Sequence, residues 1–319
     1  MEIGSFIELD FQKGKEYYSV EKNIARLNSG RAAIYHAIRL WGCNTVYLPI
    51  YQCESVREFL YKKNIKIIFY SIDSDFCPKI DAQAENSCVV IVNYFGIMSN
   101  SRMTELSERY KRVIVDNSQA FFSTPVDEAY SVYSARKFVG VPDGAYVIGK
   151  NAEKYTQEYL QGFSSDTSLF LLQRCEYGCE GKTYESRTKN EERIDSEDIM
   201  KMSALTRTIL DGCNYGFCIE KRKENFEIAD KLFGEINRLE VKKYYDKNTV
   251  PMVYPLLVED ETLLERMLQA KHFQGHWWKY ITKETKEDDF EHWLSKYMIP
   301  ITIDQRYGRK ELEYIRGLI

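Results

Sequence analysis

Between residues 29 and 150, short apolar runs alternate with amphipathic stretches, the pattern of an α/β sheet covered by helices. In AAIYHAIRLW the apolar residues Ile34, Ile38 and Trp41 fall at i, i+4 and i+7, so the spacing predicts a helix with one buried face. TVYLP follows as a strand stopped by Pro49, a second helix is expected around Ser55 to Tyr61, and IKIIFYSI reads as the next strand. CVVIV at 88–92 is almost uniformly apolar, as a strand buried on both faces of a parallel sheet must be. A helix over 101–111 leads to the strand VIV and Asp116. YSVY at 130–133 and AYVI at 145–148 then bracket a polar, glycine-containing link, SARKFVGVPDG.

After residue 150 the pattern changes to charged helical segments. The stretch EGKTYESRTKNEERIDSED is expected as a mobile loop, and a long helix over much of 197–240. VPMVYPLLV reads as a strand, ETLLERMLQAK as a helix, YMIPITI as a strand and RKELEYIRGLI as a closing helix. The expected division is a large α/β domain over 1–195, then a long helix and a small α+β domain over 196–319. No internal repeat or low-complexity tract is present.

Composition narrows the class. Hydrophobic residues make up 44% and charged residues 29%, the profile of an ordered globular protein. The net charge of −4 comes from 44 basic and 48 acidic residues mixed along the chain, so no basic face points to nucleic acid and no cluster points to lipid. The opening stretch MEIGSFIELDFQKGKEYY fits neither a signal peptide nor a membrane span, and the cytoplasm is the expected location. Eight scattered cysteines without a paired CxxC set are expected as free, buried or half-buried thiols. The four histidines, at 36, 272, 276 and 292, include an i, i+4 pair at His272 and His276, but no carboxylate completes an HExxH pattern; surface or substrate-pocket histidines are expected, and no metal site.

Polar groups at strand ends in open α/β sheets face the crevice where ligands bind, which makes Asp116, Gln119 and Lys137 expected neighbours. Ser29, Gly30 and Arg31 immediately precede the first helix, where backbone N–H groups can receive a phosphate and Arg31 can add charge-assisted contacts. Ser134, three residues before Lys137, can also donate to a phosphate. The set offers what pyridoxal phosphate requires: a lysine for its aldehyde, a carboxylate for its ring nitrogen, a hydrogen bond to its phenolic oxygen and donors for its phosphate. Lys137, Asp116 and Gln119 take the first three roles, and Lys137 can also carry protons.

These residues lie in segments that resemble the DegT/StrS family of sugar aminotransferases: SGRAAIYHAI, VYLPIYQCESV, VNYFG, VDNSQAFF, SARKFVGVPDGAYVI and IPITIDQRYGRKELEYI. The resemblance spans most of the chain. It implies the fold-type I architecture of pyridoxal phosphate enzymes, with a mixed, mostly parallel seven-stranded sheet in the large domain and a small C-terminal α+β domain. It also implies Lys137 as the Schiff-base lysine, Asp116 as the pyridinium partner, Gln119 as the cofactor-oxygen contact and a phosphate-binding turn at Gly30 and Arg31.

Three departures from the family pattern are visible. Val132 stands where a serine is common, which shifts the expected phosphate contact to Ser134. The ring-stacking aromatic falls near Cys53, with Tyr51 as the expected substitute if the segment is extended, since alternate residues then share a side. The Asn-Tyr-Arg motif that reaches the partner's site has no clear counterpart, although KMSALTRTIL occupies that region.

The activity implied is transfer of an amino group from glutamate or a similar donor to a keto sugar, nucleotide-linked, in cell-surface polysaccharide or related biosynthesis, by a homodimer. Alternatives are a pyridoxal phosphate enzyme acting on a small keto acid, and a catalytically altered or regulatory relative. Trp277 and Trp278 beside His276 line the substrate entrance on one reading and pack the small domain on the other.

Overall fold

A computed structural model describes residue 3, residues 6 and 7 and residues 9–319 of the chain. The expectation for the opening stretch therefore bears partly on residues 1, 2, 4, 5 and 8, which lie outside the described residues. The first half of the chain runs β1 (Ile24–Leu27), α1 (Gly30–Trp41), β2 (Thr45–Pro49), α2 (Glu54–Lys62), β3 (Lys66–Ile72), β4 (Pro78–Lys79), β5 (Ser87–Val92), α3 (Asn100–Glu108), β6 (Val113–Asn117), β7 (Tyr130–Ser134) and β8 (Ala145–Ile148). These strands form one sheet in the order β1-β8-β7-β6-β5-β2-β3-β4. Pairings β3·β2, β2·β5, β5·β6 and β6·β7 are parallel; β8 joins β7 and β1 antiparallel, and β4 closes the other edge antiparallel. The mixed, mostly parallel α/β sheet expected from the sequence is present, with an eighth, two-residue strand added at the edge.

All six positions of β5 and all five of β6 and β7 are buried, as strands covered on both faces must be. The parallel strands end on one side, so the residues leaving β2, β5, β6 and β7 meet there. On α1, Ile34 and Ile38 are buried as the spacing predicts. His36 is buried too, and is neither on the surface nor in a pocket. Its Nε2 lies 2.7 Å from the Ala152 carbonyl and its Nδ1 2.8 Å from the Tyr159 hydroxyl. A carbonyl accepts only, so Nε2 carries the proton; Arg39 donates to the Tyr159 oxygen at 2.9 Å, which leaves the phenol proton for Nδ1.

The second half contains α4 (Leu169–Tyr177), α5 (Lys182–Ser196), α6 (Ala204–Asp211), α7 (Tyr215–Phe233), β9 (Val253–Leu257), α8 (Leu263–Gln269), α9 (Phe290–Tyr297), β10 (Met298–Thr302) and α10 (Arg309–Arg316). β9 and β10 pair antiparallel as a separate small sheet. The stretch expected as a mobile loop is the helix α5. Its buried stripe is Thr183, Asn190 and Ile194, two of them polar, so the helical period carries almost no apolar signal. The single long helix expected over 197–240 is two helices: Asn214 caps α7 by accepting from the Phe217 N–H at 3.1 Å, just past Gly212.

All eight cysteines are free, and only Cys175 is exposed. No helix among the described residues is long and apolar enough to cross a membrane.

Burial holds the His36 pKa below its ordinary 6.5. The unfolded chain then takes up a proton that the folded chain refuses, so the stability present at neutral pH is lost as pH falls from about 6.5 toward the folded value. His36→Gln should cost about 1 to 3 kcal/mol at pH 7.5. In urea unfolding the variant should lose less stability than the wild type between pH 7.5 and 5.5; an equal loss would place the sensitivity elsewhere.

Candidate functional site

β6 delivers Asp116 to the carboxyl end of the sheet, where its side chain is 3% exposed. A charge at such a position stands only with partners. The Ser118 N–H donates to Oδ1 at 2.9 Å, and the side-chain amide of Gln52 donates to Oδ2 at 3.1 Å. Gln52 arrives from the turn after β2, on the far side of β5. Its Oε1 accepts from the Cys53 N–H at 2.9 Å, which directs the NH2 end to the carboxylate.

A second cluster forms where α1 begins. Ser29 caps the helix, accepting from the Ala32 N–H at 3.4 Å. The N–H groups of Gly30 and Arg31 find no acceptor among the described residues. A Cβ on Gly30 would lie 3.2 Å from Ser118 Oγ and 4.0 Å from Ser134 Cβ. Helix N-terminus, Ser118 and Ser134 thus converge on one small space, and neither hydroxyl has a partner among the described residues. Free N–H groups, the positive end of the helix dipole and two hydroxyls suit a phosphate. Val132 is fully buried inside β7, in register with Asp116, and cannot reach this space; Ser134 sits beside it.

Arg31 is directed elsewhere. Its guanidinium pairs with Asp195 and donates to the Ile194 carbonyl at the end of α5, and it lies over the Phe59 ring at 5.5 Å. The position belongs to the turn through its backbone, while the side chain fastens α5, because the Asp195 carboxylate and the Ile194 carbonyl give its buried guanidinium the acceptors it needs. The phosphate contact expected of the Arg31 side chain is therefore not made.

Lys137 ends the short turn Ala135–Lys137 that follows β7, and its side chain is exposed without an ion pair among the described residues. The link that carries it is fixed at several points. Gln305 donates to the Phe138 carbonyl at 3.0 Å, and Arg222 lies 4.5 Å over the Phe138 ring while donating to the Met252 carbonyl at 2.8 Å. Asn190 donates to the Pro142 carbonyl at 2.8 Å, and Arg136 pairs with Glu191. A free amine on a fastened backbone is what a lysine that must meet an aldehyde requires.

Gln119 is buried, and its Oε1 accepts from the Phe95 N–H at 2.6 Å. Phe95 has φ 59°, and a Cβ on Gly96 would stand 2.3 Å from the Gln119 carbonyl oxygen. Gln119 thereby holds the turn after β5 against β6, and the Oε1 lone pair facing Phe95 is used.

Tyr51 does not cover a cofactor ring. It is fully buried, with its ring 4.6 Å from Trp278 edge-on and 5.5 Å from Tyr94. The strand ends at Pro49, and Gln52 N–H bonds back to the Ile50 carbonyl at 2.9 Å, so the chain turns and alternate residues no longer share a side. Cys53 is half-buried at the start of α2, its Sγ 3.1 Å from Ser55 Oγ. Trp277 stacks on Phe95 at 5.5 Å and Trp278 meets Tyr51, so the pair packs the C-terminal part against the turns after β5 and β2, while His276 Nδ1 meets the Met298 carbonyl at 3.0 Å. In KMSALTRTIL, Ser203 caps α6 and Lys201 bridges to Leu27 and Gln161. Arg306 is paired with Asp304 at 2.7 Å.

Two residues escaped the sequence reading. Ser118 lies between Asp116 and Gln119 in DNSQ, and its role as both donor to Asp116 and wall of the phosphate space was available from the spacing alone. Gln52 gave no such signal, because its partner is sixty-four residues away across another strand. No group of 3 or more metal-binding side chains occurs among the described residues. The donor set fits pyridoxal phosphate: a helix N-terminus with Ser118 and Ser134 for the phosphate, Asp116 for the ring nitrogen and Lys137 for the aldehyde.

No protein-family model matches the chain, and no curated protein matches its sequence. Solved structures do match its fold. Sugar aminotransferase CalS13 from Micromonospora echinospora superposes with a TM-score of 0.61 at 12% identity, over 94% of this chain and 87% of that one. NtdA from Bacillus subtilis, with bound cofactor PMP, gives 0.62 at 13% identity over 93% and 74%. A DegT DnrJ EryC1 StrS aminotransferase from Brucella abortus gives 0.59 at 13% identity over 94% and 86%. The chain therefore has the fold of these aminotransferases, the architecture that its motifs resemble.

Proposed function

We propose that the chain is a pyridoxal phosphate-dependent aminotransferase that moves an amino group from glutamate or a similar donor to a keto sugar, nucleotide-linked. The observations that carry this reading are the open helix N-terminus meeting Ser118 and Ser134, the buried Asp116 at the end of β6, and the unpaired Lys137 in the turn three residues after Ser134. The likeness in fold to sugar aminotransferases supports the substrate class. When bound, the cofactor supplies an electron sink for the bonds of the amino-bearing carbon. The chain's residues do the rest. Asp116 keeps the ring nitrogen protonated, the α1 N-terminus and the two serines orient the phosphate, and Lys137 holds the aldehyde and then moves a proton as general base and acid.

The assembly we propose is a homodimer. Lys137 is exposed in the single chain, and α4, which buries none of its residues, leaves Leu169 and Leu172 exposed beside the same link, with Leu171 3.7 Å from a Cβ placed on Gly140. A second copy covering this face would close the lysine's side of the site.

Purified protein supplied with pyridoxal phosphate should show a visible-edge absorbance band that borohydride fixes to the chain. Lys137→Ala should take up cofactor without that covalent attachment; a wild type with no band would overturn the cofactor reading. Glutamate should convert the band, and a band that no amino donor alters would favour a regulatory relative.

Gly30→Val should fill the space beside Ser118 and weaken cofactor binding by more than about tenfold, equivalent to ~1.4 kcal/mol. Cofactor titration monitored by absorbance checks this, and unchanged affinity would move the phosphate away from α1.

A further inference from the structure

We infer that Gln52 is a positioning residue that sets the direction of the Asp116 carboxylate for the ring nitrogen of the cofactor. The inference rests on the pyridoxal phosphate reading above and assigns a role to a residue outside the motif positions.

Gln52 is 4% exposed, and both ends of its amide are bonded. With Oε1 accepting from Cys53 N–H at 2.9 Å, only the NH2 can face Asp116 Oδ2, at 3.1 Å. Asp116 therefore meets a donor at that oxygen, which fixes its direction, where an acceptor turned toward it would repel it. The Ser118 N–H holds the other oxygen at 2.9 Å. One fixed donor on each oxygen prevents rotation of the carboxylate. Each oxygen keeps a further lone pair, and these are what an incoming ring N–H meets.

Gln52 is itself held. The Tyr280 hydroxyl donates to its backbone carbonyl, and the Arg57 guanidinium lies 4.2 Å over the Tyr280 ring. Arg57 in turn forms a two-pronged pair with Glu284, both bonds 2.7 Å. The turn after β2 is thus clamped from outside by the segment Lys279–Lys283 and its neighbour, and the amide projects from that clamp onto Asp116. A residue that served only to close the turn would need the Cys53 and Tyr280 bonds alone. The bond to a buried carboxylate of a different strand is the additional feature.

The test uses the full chain with pyridoxal phosphate as the probe. Gln52→Met keeps length and volume but offers no donor. Its dissociation constant for the cofactor should rise about tenfold, the effect of one hydrogen bond to a charged group. The pH midpoint of the bound cofactor's visible band should also rise, because a ring nitrogen less firmly protonated withdraws less charge. In an Asp116→Asn background the same substitution should add nothing further.

Wild-type affinity and midpoint in Gln52→Met, or an equal loss with and without Asp116, would overturn the inference while leaving the cofactor reading standing. Failure of the wild type to bind the cofactor would overturn both. Thermal unfolding of the cofactor-free variants controls for folding, and Gln52→Asn, one methylene short of Asp116, should repeat the result if Gln52→Met does not fold.

Discussion

A carboxylate buried at the end of a parallel strand is the constraint around which the site is arranged. A buried carboxyl group needs hydrogen-bond partners, and the two that Asp116 has among the described residues come from different places: the backbone of its own turn at Ser118 and the side chain of Gln52 across the sheet. The first requires the chain to bend sharply after β6. The second requires β2 to stop at Pro49 and fold back, so that residue 52 points along the sheet edge and Tyr51 drops into the core. The geometry of two strand ends, those of β6 and β2, is therefore coupled through one acidic group.

The same bend places Ser118 against the start of α1, where Gly30 leaves room that any side chain would take. On the proposed function, the ring nitrogen and the phosphate of the cofactor would thus be met by Asp116 and Ser118 of one turn. Lys137 is positioned differently. No side chain among the described residues holds its amine; the backbone on which it stands is held, by Gln305 and Arg222 from the C-terminal half and by Asn190 and Glu191 from α5. Rigid support with a free amine reconciles precision with the movement that proton transfer needs. Arg31, drawn away from the phosphate space, serves the C-terminal turn of α5, and the preceding turn of the same helix supports the lysine's link.

Much of this was legible in the chain. Uniformly apolar runs identified the central strands, Ile34 and Ile38 identified the face of α1, and the order of Gly30, Asp116, Gln119 and Lys137 indicated the chemistry. What failed did so for physical reasons. The stripe of α5 is made of Thr183, Asn190 and Ile194, and a periodicity argument is blind to a stripe without hydrophobic contrast. His36 looked like a surface or pocket residue because the partners that satisfy it, Tyr159 and Ala152, lie more than one hundred residues along the chain. Tyr51 would share a side with Cys53 in an extended segment, but a single backbone bond, Gln52 to Ile50, turns the chain aside.

By itself the sequence determined which residue types stand at the ends of which strands, because local period and turn chemistry act over a few residues and leave their mark in composition. Only the tertiary structure decided which of those residues share a site. Gln52 reaches Asp116 and Gly30 meets Ser118 and Ser134 because parallel pairing brings distant strand ends to one edge, whereas Arg31 leaves because a partner from α5 competes for its charge. Contacts of that kind depend on distances across the fold, to which no spacing along the chain corresponds.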